Sequence, residues 1–253
     1  MKRLPLLHRP FFAKRILEIG GGHDPYAGVT HAVDKFPADD YQRAGAMFLA
    51  RGVEFRQGDL ESIPFPADPK FDFVYLSHVL EHVPTPEKAV AELIRVARAG
   101  YVETPSPLRE QIAAPIPYDP KDFHLHFIWK SVRRENTLAY IPKNSGTLGE
   151  FPDHPHAQLA KRLADTARSK RADVEPLLPR DAKTTKIYFS RTLDIIRYES
   201  FAEAYRQGDD PYASVAVAER ATHWPWALRS ARFRRLGKLL ALREAESIAD
   251  YDQ

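Results

Sequence analysis

Between residues 16 and 106 short apolar runs alternate with polar or turn-rich stretches. Ile16–Gly20, His31–Lys35, Val53–Gln57, Phe71–His78 and Gly100–Ser106 each have the length and the β-branched or aromatic content of a strand. Glu87–Arg98 follows a different period: Ala89, Val90, Leu93, Ile94, Val96 and Ala97 gather largely on one side, and Thr85 and Pro86 supply a cap and a first turn. That pattern predicts an amphipathic helix. Strands alternating with helices predict an α/β protein with a doubly wound, mostly parallel sheet covered on both faces. The stretch after Ile16–Gly20 is short and rich in Gly and Pro, so any helix there is brief.

The rhythm changes after residue 106. Pro105, Pro107, Pro115, Pro117 and Pro120 predict a loop over Thr104–Asp122. Phe127–Ser131 and Thr137–Lys143 flank the polar turn VRREN and predict a hairpin. A polar helix is expected over His156–Glu175, one late strand over Lys186–Tyr198, and a helix from Trp226 to about Ala249. There are no internal repeats and no low-complexity tract.

The chain has 253 residues, 43% hydrophobic and 28% charged, the balance of a soluble globular protein. It has no cysteine, which excludes a disulfide scaffold, a thiolate metal site and a cysteine nucleophile. A net charge of +3 gives no electrostatic case for nucleic acid. No run approaches the roughly 18 apolar residues of a membrane span. The N-terminal apolar run is broken by Pro5, His8, Arg9 and Pro10, unlike a signal peptide, so a cytoplasmic location is expected.

The chemistry concentrates in Leu17–Pro25, LEIGGGHDP, where an apolar strand enters three glycines. Glycine lets a backbone turn sharply and approach a ligand closely. A tight strand-to-helix turn without a ligand has the same composition. A dinucleotide fingerprint asks for glycine at position 25, which is proline, and no Gly-Lys-Ser/Thr phosphate loop follows. Glu18, two positions before Gly20, repels a pyrophosphate and suits a ligand carrying an amine and a sulfonium. Asp34 ends the second strand, where it can accept from a ribose diol, and Asp59 follows the third, where it can accept from an adenine amine. Each alone is more often a turn or cap residue. Three acids at successive strand ends point to one crevice.

LEIGGGHDP, AVDKF, GDLESIPFP, FDFVYLSHVLEHVPTPEKAVAELIRVARAG and YVETPSP, in that order, resemble the class I S-adenosylmethionine-dependent methyltransferases, closest to the broad small-molecule group with a VLEHV signature. The resemblance covers about residues 14–107. It implies a Rossmann-like methyltransferase fold with S-adenosyl-L-methionine as cofactor. By the same resemblance Glu18 and the Gly20, Gly21 and Gly22 loop line the methionine half, and Asp34 holds the ribose with Lys35 beside it. Asp59 and Leu60 flank the adenine, while Ser77 and His78 floor the site beside the sulfonium. Asp24 stands where a third glycine is frequent, and the gap from loop to Asp34 is short. A single domain over 1–253 is expected, with 14–107 as cofactor core and 108–253 as an acceptor-side region of inserted hairpin, late strands and terminal helix.

Methyl transfer from a sulfonium is an in-line displacement, and holding two reactants in line is worth up to roughly 7–11 kcal/mol. A hydroxyl acceptor also needs a base, which adds about 10²–10⁴-fold. His124 and His126, in Asp122–His126, follow the proline-rich loop and share a face of an extended chain, so either is a candidate base; His82 is the third. A polar edge before a hairpin explains the first two equally well. The pair with Asp119, Asp122 or His82 could ligate a divalent ion, but magnesium needs clustered carboxylates and histidines dominate, so no metal is expected. His154 and His156 read as solvated loop residues. Arg229–Arg243 forms a basic, leucine-bearing helix that could lie on an anionic membrane, although packing on its own domain explains it as well. The expected activity is O-methylation of a polar small molecule such as a sugar or glycan, without nucleic acid. The rivals are a noncatalytic cofactor-binding scaffold, an N- or RNA methyltransferase, and a nicotinamide oxidoreductase, against which Pro25 and Glu18 argue.

Overall fold

A computed structural model describes residues 12–26, 28–38, 46–113, 124–144 and 180–213, together with 147, 150, 153, 157–158, 161–162 and 165. The five early strands form where the apolar runs predict them: β1 (Ile16–Ile19), β2 (His31–Asp34), β3 (Glu54–Gln57), β4 (Phe73–Ser77) and β5 (Ala99–Pro105). With β8 (Thr184–Ser190) they make a six-stranded sheet in the order β3-β2-β1-β4-β5-β8. All neighbours in it are parallel except β8, which runs antiparallel to β5 from Ala99 opposite Ser190 to Pro105 opposite Thr184. The strand order reverses beside β1, and that places a crevice at the carboxyl ends of β1 and β4.

Helix α1 (Pro86–Val96) starts with proline at its first turn, as its sequence predicts, and buries Ala89, Val90, Leu93 and Val96. Thr85 precedes it without a side-chain cap; its carbonyl accepts from Lys88 and Ala89 N–H at 3.0 and 3.2 Å. The apolar stripe packs on Leu17, Ile19, Val33, Val74, Leu76 and Val102 of the sheet. Side chains alternate across a strand, so Ile16, Phe73, Tyr75 and Tyr101 point to the opposite face, where they pack with Ala13 and Tyr26. The Tyr26 and Tyr75 rings stack with centroids 4.3 Å apart.

The hairpin forms as β6 (His126–Lys130) and β7 (Thr137–Pro142), and β9 (Asp194–Arg197) adds parallel to β7 as a second, three-stranded sheet. This sheet contributes Ile128, Leu138 and Tyr140 to the main core. Its other face buries Phe127, Trp129, Ala139 and Ile141 against Tyr198, Phe201 and Ala204, the last two on α4 (Phe201–Arg206).

Two expectations are corrected. Lys186–Tyr198 is not one strand: β8 ends on the main sheet at Ser190, Arg191 takes a φ of 72°, and the chain crosses to β9 on the other sheet. Thr104–Asp122 is not all loop, because β5 continues to Pro105 and Pro107–Ala113 forms α2. Ser106 accounts for the helix: its Oγ accepts from Arg109 N–H at 3.2 Å and its carbonyl from Glu110 N–H at 3.0 Å. That makes it the cap of a helix whose first residue is a tolerated proline. A short helix α3 (Arg180–Lys183) leads into β8. Most of the helix expected over 156–175 and all of the tail from 226 fall outside the described residues.

Candidate active site

The first wall of the crevice is the turn leaving β1. Gly20 and Gly22 have φ values of 68° and 54°, a left-handed conformation that costs a non-glycine residue about 1–2 kcal/mol. Gly20 N–H donates to Val33 O at 2.8 Å, which holds the turn against β2, and Phe48 N–H donates to Gly22 O at 2.9 Å. Glu18 lies inside β1, 4% exposed, and both its oxygens accept from Tyr26 N–H at 3.1 Å. Gly21 is glycine for space: a Cβ there would lie 2.6 Å from Cδ of Glu18. A cavity of about 40 Å³ behind the loop is lined by Glu18, Gly21, Gly22, Tyr26, Val33 and Phe48, among others.

Asp34 closes β2, buried, with one oxygen accepting from Phe36 N–H at 2.9 Å. Asp59 follows β3. One of its oxygens accepts from Glu61 N–H at 3.0 Å and the other pairs with Lys35 Nζ at 2.7 Å. Burial works against its charge, but Lys35 and the Glu61 N–H outweigh burial and hold its carboxyl below the usual carboxylate range. Leu60 is buried in the main core. The loop carrying Asp59 and Leu60 is fastened to α1: Glu92 accepts from Ile63 N–H at 2.8 Å, and Arg95 donates to the carbonyls of Ile63 and Phe65 at 2.9 and 2.8 Å.

Ser77 and His78 stand at the end of β4, one strand over from Glu18. His78 is a non-glycine residue at φ 57°. Its Nδ1 lies 3.3 Å from Glu81 and its Nε2 3.9 Å from Glu103; Glu103 also accepts from the Tyr101 hydroxyl. A 3-10 turn over Leu80–His82 follows. Leu125 N–H donates to Glu81 O at 2.7 Å, so the segment entering β6 is stitched to this turn. His82 and His124 thereby meet edge to face, with ring centroids 4.5 Å apart.

The three candidate bases occupy different settings. His126 is 6% exposed; its Nε2–H donates to Val83 O at 2.9 Å, its Nδ1 is buried without a partner, and burial pushes its pKa down. It packs edge-on against Tyr140, among core side chains. His82 and His124 are half-buried. His124 Nδ1 lies 2.8 Å from Glu110 on α2, and the other Glu110 oxygen pairs with Lys143, whose side chain is fully buried. Burial opposes charge on both partners, yet His124 and Lys143 hold the Glu110 carboxyl down at about 2, and Glu110 raises the imidazole above its ordinary value. Sequence reasoning missed Glu110, Lys143 and Glu103. Only Ser106-Pro107, the start of α2, signalled the element that carries Glu110.

A parallel sheet with a glycine turn after β1, acids after β2 and β3, and a 3-10 turn after β4 is the arrangement of a methyltransferase-like α/β core. Residues 28–102 match the family described as "Methyltransferase domain". Over 97 residues the chain is 31% identical to an uncharacterized methyltransferase of Mycobacterium tuberculosis, a stretch that is 36% of this chain and 38% of that relative. The chain thus matches well under half the length of that relative. Among solved structures it is similar to a methyltransferase of Thermotoga maritima described as a possible histamine N-methyltransferase, at 26% identity over 36% of this chain and 43% of that one, with a TM-score of 0.28. It is also similar to the N-terminal domain of EvdMO1 determined with S-adenosylhomocysteine and D-fucose, at 27% identity over 38% and 45% of the two chains, with a TM-score of 0.30. Over residues 28–102 the core is similar to S-adenosylmethionine-dependent methyltransferase domains, whose cofactor is S-adenosylmethionine.

The residues present suit that cofactor on the methionine and ribose sides. The left-handed glycine turn puts no side chain on the crevice wall, the buried Glu18 carboxylate stands beside it, and Asp34 ends β2 one strand over. On the adenine side both Asp59 oxygens are already engaged, so an adenine amine there would have to displace Lys35. Among the described residues no helix is long and apolar enough to cross a membrane.

Proposed function

We propose that this chain transfers the methyl group of S-adenosylmethionine to a hydroxyl of a polar small molecule such as a sugar, with the histidine cluster after β4 relieving the hydroxyl of its proton. The observation that carries this reading is the adjacency of two polar walls. Glu18 and the Gly20–Gly22 turn leave β1, and His78, Glu81, His82 and His124 gather after β4, which is hydrogen-bonded to β1. Neighbouring strands lie about 4.8 Å apart. A methyl donor held on the first wall and an acceptor held on the second are therefore neighbours, one strand spacing apart, as an in-line transfer requires.

In this reading Glu18 and Gly20–Gly22 hold the methionine half, Asp34 the ribose, and Asp59 and Leu60 the adenine. Ser77 and His78 floor the site. The cofactor supplies an electrophilic methyl on a sulfonium; the chain supplies alignment, worth up to roughly 7–11 kcal/mol, and a route for the proton, worth about 10²–10⁴-fold. The polar lining of the second wall favours a hydroxylated acceptor over an apolar one.

The test is release of S-adenosylhomocysteine from S-adenosylmethionine across a panel of sugars, glycosides and phenols, with thermal unfolding alongside. At 100 times its dissociation constant, S-adenosylhomocysteine stabilises the folded chain by about 2.7 kcal/mol, whereas NAD leaves it unchanged. Protection by NAD alone would overturn the cofactor reading. Cofactor binding with no turnover on any hydroxylated acceptor would overturn the choice of acceptor.

A further inference from the structure

Glu81 presents an unsolved electrostatic problem. Its side chain is 1% exposed, and among the described residues neither carboxylate oxygen has a hydrogen-bond partner. The nearest cationic group among the described residues is His78, 3.3 Å away and a cation only when protonated. A carboxylate removed from water without hydrogen bonds costs several kcal/mol unless something positive meets it. Glu81 is also one of three residues, with His82 and His124, whose ligating atoms all lie within 4.8 Å of one another.

We propose that Glu81, His82 and His124 form a binding site for a divalent first-row transition metal, with Zn²⁺, Co²⁺ and Mn²⁺ as the fitting ions. Two imidazoles and one carboxylate are the donor set of catalytic metal sites that keep an open coordination position. The two imidazoles favour Zn²⁺ and Co²⁺ over Mg²⁺ and Ca²⁺, which take oxygen ligands, and the carboxylate admits Mn²⁺. Bonds of about 2.0–2.1 Å need donors about 3.4 Å apart. Rotation of the two half-buried rings toward the fixed carboxylate accomplishes this approach.

The surroundings of His124 match what a metal-bound imidazole requires. Ligating histidines almost always give their second ring N–H to a carboxylate or carbonyl, which fixes the ring and its tautomer. Glu110 lies 2.8 Å from His124 Nδ1, leaving Nε2 as the ligating nitrogen. Lys143 holds Glu110 from the other side, so the orienting carboxylate is itself anchored from α2 to the end of β7. The backbone bond from Leu125 N–H to Glu81 O, at 2.7 Å, brings the two ligand-bearing segments together before any ion arrives.

What the ion does rests on the proposed function above; its binding does not. An acceptor hydroxyl in the open position becomes more acidic, as metal-bound water does. It releases its proton to solvent, its oxygen forms the new bond to the methyl carbon, and the carbon–sulfur bond breaks with its electron pair left on sulfur as S-adenosylhomocysteine. In this arrangement the histidine cluster relieves the hydroxyl of its proton through the ion it holds, with His82 and His124 as ligands and not as free bases.

The experiment uses the full chain, stripped with a chelator, dialysed and titrated with Co²⁺ while visible absorption is recorded. Saturation at one equivalent with ligand-field bands of a low-symmetry nitrogen–oxygen site, displaced by Zn²⁺, is the expected result. Glu81→Gln and His124→Ala, each checked for native circular dichroism and for S-adenosylhomocysteine binding, should lose those bands. Absence of stoichiometric Co²⁺ and Zn²⁺ binding by the wild-type chain would overturn the site, as would unchanged bands in both folded variants. Once an acceptor is in hand, turnover abolished by stripping and restored by Zn²⁺, Co²⁺ or Mn²⁺ supports the catalytic role. Full turnover by the stripped chain overturns that role while leaving methyl transfer itself intact.

Discussion

Replacing Gly21 by alanine tests whether the glycine loop is built around Glu18 or merely turns the chain. The new Cβ would lie 2.6 Å from Glu18 Cδ and 2.8 and 2.9 Å from its oxygens. Non-bonded carbons settle at about 3.5–4.0 Å, so the carboxylate has to retreat by about an ångström. It cannot do so and keep its place, because both oxygens take the Tyr26 N–H at 3.1 Å. Losing a hydrogen bond to a charged acceptor costs about 1.5–3 kcal/mol. Gly21 itself does not have a positive φ, so alanine returns about 0.4–1 kcal/mol by restricting the unfolded chain. The net expectation is a loss of about 1–2 kcal/mol in urea unfolding, together with weaker S-adenosylhomocysteine binding. Glu18→Ala removes the obstruction, and in that background Gly21→Ala should be neutral or mildly stabilising, a coupling of about 1.5–3 kcal/mol. Gly20→Ala is the control: its φ is 68° and its Cβ would meet Val79 at 2.4 Å, so Glu18→Ala should not rescue it. Additivity of Gly21→Ala and Glu18→Ala within about 0.5 kcal/mol would refute the contact.

Glu92 carries a pH-dependent share of the stability of the loop holding Asp59 and Leu60. The Arg95 guanidinium lowers its carboxyl below the ordinary 4.5, against burial, with help from Ile63 N–H. A depressed folded value means that the contribution is complete above about pH 4.5 and is lost as pH falls through the folded pKa. Glu92→Gln should therefore lower the urea midpoint at neutral pH and flatten its decline in acid, and an unchanged acid limb would contradict the assignment. Asp209 is fully buried and accepts from Trp129 Nε1, Ser131 Oγ, Val132 N–H and Tyr198 Oη at 3.4, 2.8, 3.0 and 3.1 Å. Asp209→Ala strands those donors and should cost about 3 kcal/mol or more, with loss of the near-ultraviolet circular dichroism of Trp129; retention of that signal and of the melting temperature would count against the network. At Gly100 an added Cβ would lie 2.5 Å from Phe189 and 2.6 Å from Val74, so Gly100→Ala should destabilise by about 1–3 kcal/mol through overpacking, read as a lower urea midpoint at unchanged slope.

The early sheet is legible because each of its strands is a short, self-contained apolar run, and because α1 carries its period and its proline within eleven residues, with its cap position just before them. Lys186–Tyr198 defeats the same reasoning. An unbroken apolar alternation says that a segment is extended, but not which sheet it joins. Here Tyr188 pairs with Tyr101 on the main sheet while Ile195 pairs with Leu138 on the small one. The switch falls at Arg191, an exposed residue with a left-handed φ, and its side chain gives no hint of that conformation. In Thr104–Asp122 the density of prolines masks a helix start, because Pro107 is compatible with a first turn once Ser106 precedes it.

The two walls of the crevice differ in the same way. Glu18, Gly20, Gly21 and Gly22 sit within five residues, and their relation is local: a strand, a turn and the carboxylate that the turn passes over. Local relations leave a mark in the order of residues. The second wall is assembled from Glu81 and His82, Glu110, His124 and Lys143, drawn from a 3-10 turn, α2, the entry to β6 and the end of β7. No spacing rule connects Glu110 to His124, since what joins them is the return of the chain across the sheet. That is also why His124 and His126, alike in sequence and two residues apart, part company in the structure. β6 begins only at His126, so His124 lies before the strand and escapes the register that would put residues two apart on one face; His126 goes to the carbonyl of Val83 and the ring of Tyr140. His124 faces Glu110 and His82. A histidine's chemistry here is decided by the carboxylate behind it, and Glu110 comes within reach of His124 only because Ser106 starts a helix where prolines suggest a loop.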